Sequence, residues 1–271
     1  MRVKIKEISI LRLVKYISRR IIGFPARLSY VYSRQGMRNR KQLIKFKDVH
    51  KGETCILLAN GPSLSKEDLS ITKKYKTIGL NRIYLGIEKY NIELDYLVCV
   101  NQLVLEQFAE EIENVNVTKF LSWGTRSHFK VQEAIHWVSK GLSTRKFSNN
   151  LVAGLNPAAT VTYAALQIIY YMGFNRVIIL GMDHNFQLDK SKTPNTKEVY
   201  SHSKDVNHFI DNYFPKGVKW ETPDLMSSEY FYTIARDHFE RNGREIFDCT
   251  SGGNCEVFKK GNATNVLTNE K

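Results

Sequence analysis

Residues 54 to 64 read Thr-Cys-Ile-Leu-Leu-Ala-Asn-Gly-Pro-Ser-Leu, an apolar run that stops abruptly at Asn60-Gly61-Pro62-Ser63. A short apolar run closed by turn residues predicts a buried strand over Cys55 to Ala59. Ser65, Lys66, Glu67 and Asp68 then read as the cap and first turn of a helix. A strand that turns through glycine into a helix leaves unpaired N–H groups and a positive dipole end at the turn, which suits a phosphate. The stretch has neither the Gly-Lys-Ser/Thr of a Walker loop nor the GxGxxG fingerprint, and an ordinary strand-to-helix turn reads the same way.

Further along, short apolar runs alternate with helical patterns. The runs are Thr77 to Leu80, Tyr96 to Val100, Val117 to Leu121, Val177 to Leu180 and Glu245 to Asp248. Helices are expected over Lys66 to Lys73, Leu103 to Ile112, Pro157 to Met172 and Leu225 to Arg241. This alternation predicts an α/β fold, Rossmann-like, with a mostly parallel sheet and helices on both faces. Ligands of such sheets sit at the carboxyl ends of the strands. Those ends carry Asn60, Asn81, Asn101 and Asp183, and Asn156 stands before Pro157 at an expected helix start. Amides donate and accept, so several at one rim suit a base, a ribose or a sugar. A single such asparagine is more often a turn or cap residue.

The net charge of +13 is unevenly placed. Residues 1 to 51 hold 15 Lys and Arg against Glu7 and Asp48, while the remaining 25 basic and 25 acidic side chains cancel. A neutral body argues against a nucleic-acid groove. From Ile8 to Phe24, Ile10, Leu13, Val14, Ile17, Ile21 and Phe24 fall on one side of a helix, and Arg12, Lys15 and Arg19 on the other. Residues 1 to 50 therefore read as a basic amphipathic arm with a linker at Lys45-Phe46-Lys47, and residues 51 to 271 as the Rossmann-like body. The arm is expected to meet an anionic membrane surface, Arg27, Arg34, Arg38, Arg40 and Lys41 adding attraction. A helix docked on the protein's own body fits the same pattern.

No stretch of 18 uncharged apolar residues exists, and charges interrupt any signal-peptide core. Cys55, Cys99, Cys249 and Cys255 lack CxxC spacing, which points to buried thiols in a reducing compartment. A cytoplasmic protein, peripheral on the inner face of the membrane, is the expectation. Residues 184 to 224 form a long polar stretch with His184, Tyr200, His202, His208, Tyr213 and Trp220. The six-residue spacing of His202 and His208 is no ligand pattern, so no metal site is expected. Either histidine could serve as a general base, or simply lie exposed.

Taken together, Ala59-Asn60-Gly61-Pro62-Ser63-Leu64, Gly79-Leu80-Asn81-Arg82-Ile83-Tyr84, Asn156-Pro157-Ala158 and Gly181-Met182-Asp183 resemble one superfamily. It joins bacterial lipooligosaccharide sialyltransferases and flagellin glycosyltransferases to the 6-hydroxymethylpterin diphosphokinase MptE-like proteins. The likeness covers roughly residues 50 to 260 and leaves the arm outside. It implies that Asn60, Gly61, Ser63, Asn81 and Asn101 hold a nucleotide-sugar, with Asn156 and Asp183 orienting it. It also implies that His208, in Asn207-His208-Phe209, is the general base in preference to His202. The tyrosines that meet the leaving phosphate in the sialyltransferases have no counterpart after Asp183, so Tyr200 or Tyr213 would have to substitute.

The leading expectation is a metal-independent inverting glycosyltransferase that needs no cofactor. A CMP-activated, sialic-acid-like donor would modify a glycan or glycolipid acceptor such as lipopolysaccharide or capsule. The rival is transfer of diphosphate from ATP with Mg²⁺, which normally needs more carboxylates than Asp183 alone. A non-catalytic nucleotide-binding scaffold is a further alternative.

Overall fold

The structure, a computed structural model, describes residues 25–130, 134–141, 146–158, 160–186, 198–201 and 205–268. The expected helix Ile8 to Phe24 and His202 lie outside these. Ten strands are found among the described residues: β1 (Thr54–Leu58), β2 (Lys76–Leu80), β3 (Tyr96–Cys99), β4 (Thr118–Ser122), β5 (Ile135–Val138), β6 (Arg176–Leu180), β7 (Glu198–Tyr200), β8 (Lys219–Glu221), β9 (Glu245–Asp248) and β10 (Lys259–Lys260). Eight form one sheet in the order β10-β9-β6-β1-β2-β3-β4-β5. All its pairs are parallel. Strand order reverses at β1, so the crevice between the ends of β1 and β6 is the topological switch point.

Both faces of the sheet are buried, which is why β1 reads as an unbroken apolar run. Cys55 and Leu57 enter one core layer, and Ile56 and Leu58 the other. The first layer is covered by two of the seven helices named here, which are α1 (Arg34–Ile44), α2 (Ile87–Tyr90), α3 (Gln102–Gln107), α4 (Ala109–Asn114), α5 (Val161–Met172), α6 (Leu225–Arg241) and α7 (Ala263–Thr268). These two are α5 and α6, which bring Ile168, Met172, Tyr232 and Phe239. Almost every residue of α5 is buried, so it is the central helix, and each large apolar side chain there stabilises by roughly 1.5–3 kcal/mol. The second layer receives Leu105 of α3, Ile112 of α4, and Phe209 and Tyr213 from the long connection.

Three helix expectations are corrected. Instead of an α-helix over Lys66 to Lys73 there are two 3₁₀ turns, Pro62–Lys66 and Leu69–Lys73. Here Ser65 Oγ donates to the Pro62 carbonyl, and Asp68 accepts from the Ser70 N–H, so side chains compete with the helical ladder. The helix expected over Leu103 to Ile112 is split into α3 and α4 at Phe108, whose ring lies 3.6 Å under the Arg82 guanidinium. Pro157 does not open α5, because Ala158 is left-handed at φ 48° and the helix begins at Val161, capped by Thr160.

Residues 25–50, expected to stand apart as arm and linker, pack against the sheet edge. Residues 25–32 are helical, and Tyr30 and Leu43 are buried. Asn39 of α1 donates to the Trp137 carbonyl at 2.7 Å and accepts its N–H at 2.8 Å, replacing a neighbour strand along β5. Phe46 of the supposed linker meets the His136 ring at 4.6 Å. All four cysteines are buried and free, and no described helix is long and apolar enough to cross a membrane.

The edge contact carries a pH prediction. Burial, with the charge of Lys45 beside it, pushes the His136 imidazole down from 6.5 to about 4. The folded state therefore refuses a proton that the unfolded chain accepts. The stabilisation is complete above pH ~6.5 and is lost as pH falls towards 4, on the order of 3 kcal/mol in all. His136→Phe should flatten the dependence of urea midpoint on pH across that window. An unchanged slope in the variant would exclude His136 as its source.

Candidate active site

The ends of β1, β2, β3 and β6 meet around a cleft of about 250 Å³. Asn60, Gly61, Asn81, Asn101, Asp183 and His208 all line it, although they lie far apart in sequence. A larger open groove of about 830 Å³ lies at the opposite, amino-end rim, lined by Glu53, Lys76, Asp95 and Arg176. None of the residues expected to carry chemistry reaches it.

Asn60 Nδ2 donates to the Leu80 carbonyl at 3.0 Å, tying the end of β1 to that of β2. The carbonyl fixes the orientation of the amide, so the buried Asn60 Oδ1 is left as an acceptor without a partner. Asn81 is left-handed at φ 48°, a conformation asparagine tolerates, and its buried Oδ1 also has no partner. Each such orphan costs about 1–3 kcal/mol unless a ligand donor meets it. Asn101 caps α3, its Oδ1 accepting from Val104 N–H at 3.2 Å, so it offers the cleft its NH₂ group.

Asp183 corrects the reading of the first turn. Its carboxylate accepts from Ser63 N–H at 3.1 and 3.3 Å and from Ser63 Oγ at 2.7 Å. The N–H group expected to cradle phosphate thus binds a carboxylate of this chain, and Gly61 N–H is taken by the Gly181 carbonyl at 2.8 Å. Ser63 is buried behind the cleft and positions Asp183. Helix N-termini that do line the cleft include those of α5, through Thr160, Val161 and Thr162, and of α3, through Asn101, Leu103 and Val104. Asn156 is outside the lining. It is buried, its Oδ1 accepts from Ala158 N–H at 3.0 Å, and its backbone is clamped on both sides by Gln167.

His208 is held more firmly than a loop residue usually is. Its Nδ1 lies 2.7 Å from Asp205 Oδ2, and its ring stacks on Tyr213 at 3.9 Å, with planes 4° apart. The next residue donates its N–H to the Asn60 carbonyl at 3.0 Å, and its ring, Phe209, fills the space that a Cβ on Gly86 would occupy. Burial raises the Asp205 carboxyl, but the hydrogen bond and charge of His208, with the N–H groups of Asn207 and Phe214, outweigh it and hold the group below its usual range. Asp205 is therefore a carboxylate that accepts from Nδ1–H, which leaves the Nε2 lone pair to take a proton.

Two residues of this arrangement were given no role from sequence. Asp205 stands three positions before His208, a visible Asp-x-x-His spacing. Arg82 stands inside the Gly79–Tyr84 motif with no spacing that predicts its partners. Its guanidinium binds the Tyr213 carbonyl, the Tyr84 hydroxyl at 3.1 Å and Glu111 at 2.8 Å, fastening the histidine segment to β2. Neither substitute tyrosine is presented to a phosphate. Tyr213 is buried beneath His208 with its hydroxyl accepting from Arg82 N–H at 3.3 Å, and Tyr200 is exposed outside the lining. His184 also lines the cleft, its Nε2 3.0 Å from Glu229 Oε1 on α6. The neighbouring Tyr232 hydroxyl pairs with Thr160 Oγ1 at 3.1 Å.

Among solved structures the chain is similar to the MAf glycosyltransferase from Magnetospirillum magneticum AMB-1, at 15% identity and a TM-score of 0.50, over 83% of this chain and 38% of that one. The chain thus spans well under half of that enzyme's length. A second similar structure is the sialyltransferase CstII from Campylobacter jejuni, in complex with a substrate analogue, cytidine-5′-monophosphate. It shows 12% identity and a TM-score of 0.47, over 78% of this chain and 85% of that one. At such identities the first likeness is one of fold, and nothing further rests on the second. No curated protein matches. Residues 34–189, more than half of the sequence, match the model of the 6-hydroxymethylpterin diphosphokinase MptE-like proteins, and the chain belongs to that family.

Proposed function

We propose that the protein is an inverting glycosyltransferase that takes an acidic sugar from a CMP-activated donor and needs no metal. The observation that carries this reading is His208, held by Asp205 at 2.7 Å and lining a cleft that also contains Asn60 and Asn81, whose amide oxygens are orphaned. His208 Nε2 removes the proton of an acceptor hydroxyl as its oxygen attacks the anomeric carbon. The bond from that carbon to the CMP phosphate breaks, and CMP departs with the electron pair. Asn60 Oδ1 and Asn81 Oδ1 accept from ribose hydroxyls or the cytosine amino group, and Asn101 and Asp183 line the same wall. The departing phosphate meets the N-terminus of α5 and His184, whose Nε2 lies 3.0 Å from Glu229 Oε1. The acceptor is a glycan or glycolipid hydroxyl of a surface polysaccharide.

The family's name favours a second reading, transfer of diphosphate from ATP to 6-hydroxymethylpterin. Bridging the phosphates with Mg²⁺ needs free carboxylate oxygens; those of Asp183 are engaged by Ser63, and Glu221 is the other carboxylate in the cleft lining. No group of three or more metal-ligating side chains is found among the described residues.

A thermal-shift panel of CMP, UDP, GDP, ADP and ATP, each with and without Mg²⁺, separates the two. CMP near a hundred times its Kd should stabilise by about 2.7 kcal/mol, raising Tm by roughly 5–10 °C with no effect of Mg²⁺. A shift confined to ATP with Mg²⁺ would replace the first reading by the second.

A further inference from the structure

Nine large apolar side chains are exposed among the described residues, and five of them, Leu28, Tyr32, Met37, Ile44 and Val49, fall between residues 28 and 49. The same stretch carries an uncompensated cationic row. Along α1 the inward positions are Gly36, Asn39 and Leu43. At 100° per residue, Arg34, Arg38, Lys41 and Lys45 then align on the outward side, flanked by Met37 and Ile44. No ion pair among the described residues involves any of the four. From residue 25 to 52 the sequence holds eight Lys and Arg against Asp48 alone.

The surface is preformed. A Cβ on Gly36 would lie 2.1 Å from the Tyr30 carbonyl oxygen, so α1 and the preceding helical residues touch backbone to backbone. Leu28 and Tyr32 are exposed on those preceding residues. Trp123, just past β4, donates from Nε1 to the Ala26 carbonyl at 2.8 Å, which sets the start of this surface at the carboxyl-end rim of the sheet. That rim also carries the cleft.

We propose that the outward face of residues 28–49 docks on an anionic lipid bilayer, its lysines and arginines on headgroup phosphates and its apolar flank in the acyl boundary. Charge complementarity selects this occupant. The chain's own residues 1–24 carry seven Lys and Arg against Glu7 and are repelled by the row. A nucleic-acid backbone would match the charge but gives no return for exposing Met37, Ile44 and Leu28. Four cations at an anionic leaflet account for roughly 10²- to 10³-fold in partitioning. The inference is independent of the transfer chemistry.

The native cysteines are buried, so a single introduced thiol can be labelled selectively. Met37→Cys, Ile44→Cys and, as a control on α6, Met226→Cys would each carry an environment-sensitive fluorophore on the full chain. With vesicles of phosphatidylcholine and phosphatidylglycerol, the labels at 37 and 44 should brighten and shift to the blue, and the label at 226 should not. Vesicles of phosphatidylcholine alone should give no response. Replacing Arg34, Arg38, Lys41 and Lys45 together by Gln should weaken vesicle binding roughly 10²- to 10³-fold at low salt. The proposal is overturned if the protein ignores anionic vesicles, binds them with both labels still in water, or binds a DNA oligonucleotide while the labels stay silent on vesicles.

Discussion

Alanine in place of His208 should lower sugar transfer by roughly 10²- to 10⁴-fold, the range that a positioned general base supplies. The loss should fall on kcat, with CMP still raising Tm as it does in the parent. Added imidazole should restore part of the rate, because the face of Tyr213 against which the ring stacks remains. Asp205→Asn is expected to do less harm, about 10-fold or more. An asparagine can bond Nδ1 through its NH₂ and so permits the tautomer that protonates Nε2 and removes the base. Normal turnover by His208→Ala would refute the assignment outright.

The second large effect is expected at Gly61. A Cβ built there would stand 1.9 Å from Asp183 Oδ2 and 2.7 Å from the Gly181 carbonyl oxygen. The backbone itself accepts alanine, since Gly61 has φ −72°. Strain therefore falls on the neighbours, and the Gly181 carbonyl cannot step aside without releasing the Gly61 N–H it accepts. Overpacking together with loss of the Asp183–Ser63 bonds should cost about 3 kcal/mol, lowering Tm by roughly 6–12 °C and abolishing the CMP shift. Gly124→Ala is the control, because the nearest atom to its Cβ is Ser122 Oγ at 3.9 Å. Equal melting of the two variants would disprove the steric account.

The central strands were legible because burial on both faces writes an apolar run for each. β5 was not, since Ile135-His136-Trp137-Val138 breaks that pattern with a polar ring that tertiary contacts with Phe46 and Phe120 make tolerable. Asparagines at the ends of β1, β2 and β3 and the histidine beyond β6 could be read from position and motif. Position and motif do not show that these residues line one cleft, which takes the fold to bring them together. Position alone does not separate those asparagines from Asn156, which stands at an expected helix start but is a turn former held by Gln167 outside the cleft lining. It also misled at the first turn, because whether an N–H faces a ligand or the protein's own carboxylate depends on a residue 120 positions away. Asp205 was readable as a spacing, yet its role depends on side-chain geometry that periodicity does not encode.

The tie between the Phe209 N–H and the Asn60 carbonyl has a consequence for divergence. It registers the imidazole to a strand end rather than to the long stretch that leads up to it. Substitutions at an exposed position of this connection such as Tyr200 can therefore be sampled without moving the proton acceptor. A chain built this way can change which hydroxyl it serves while keeping the machinery that activates it.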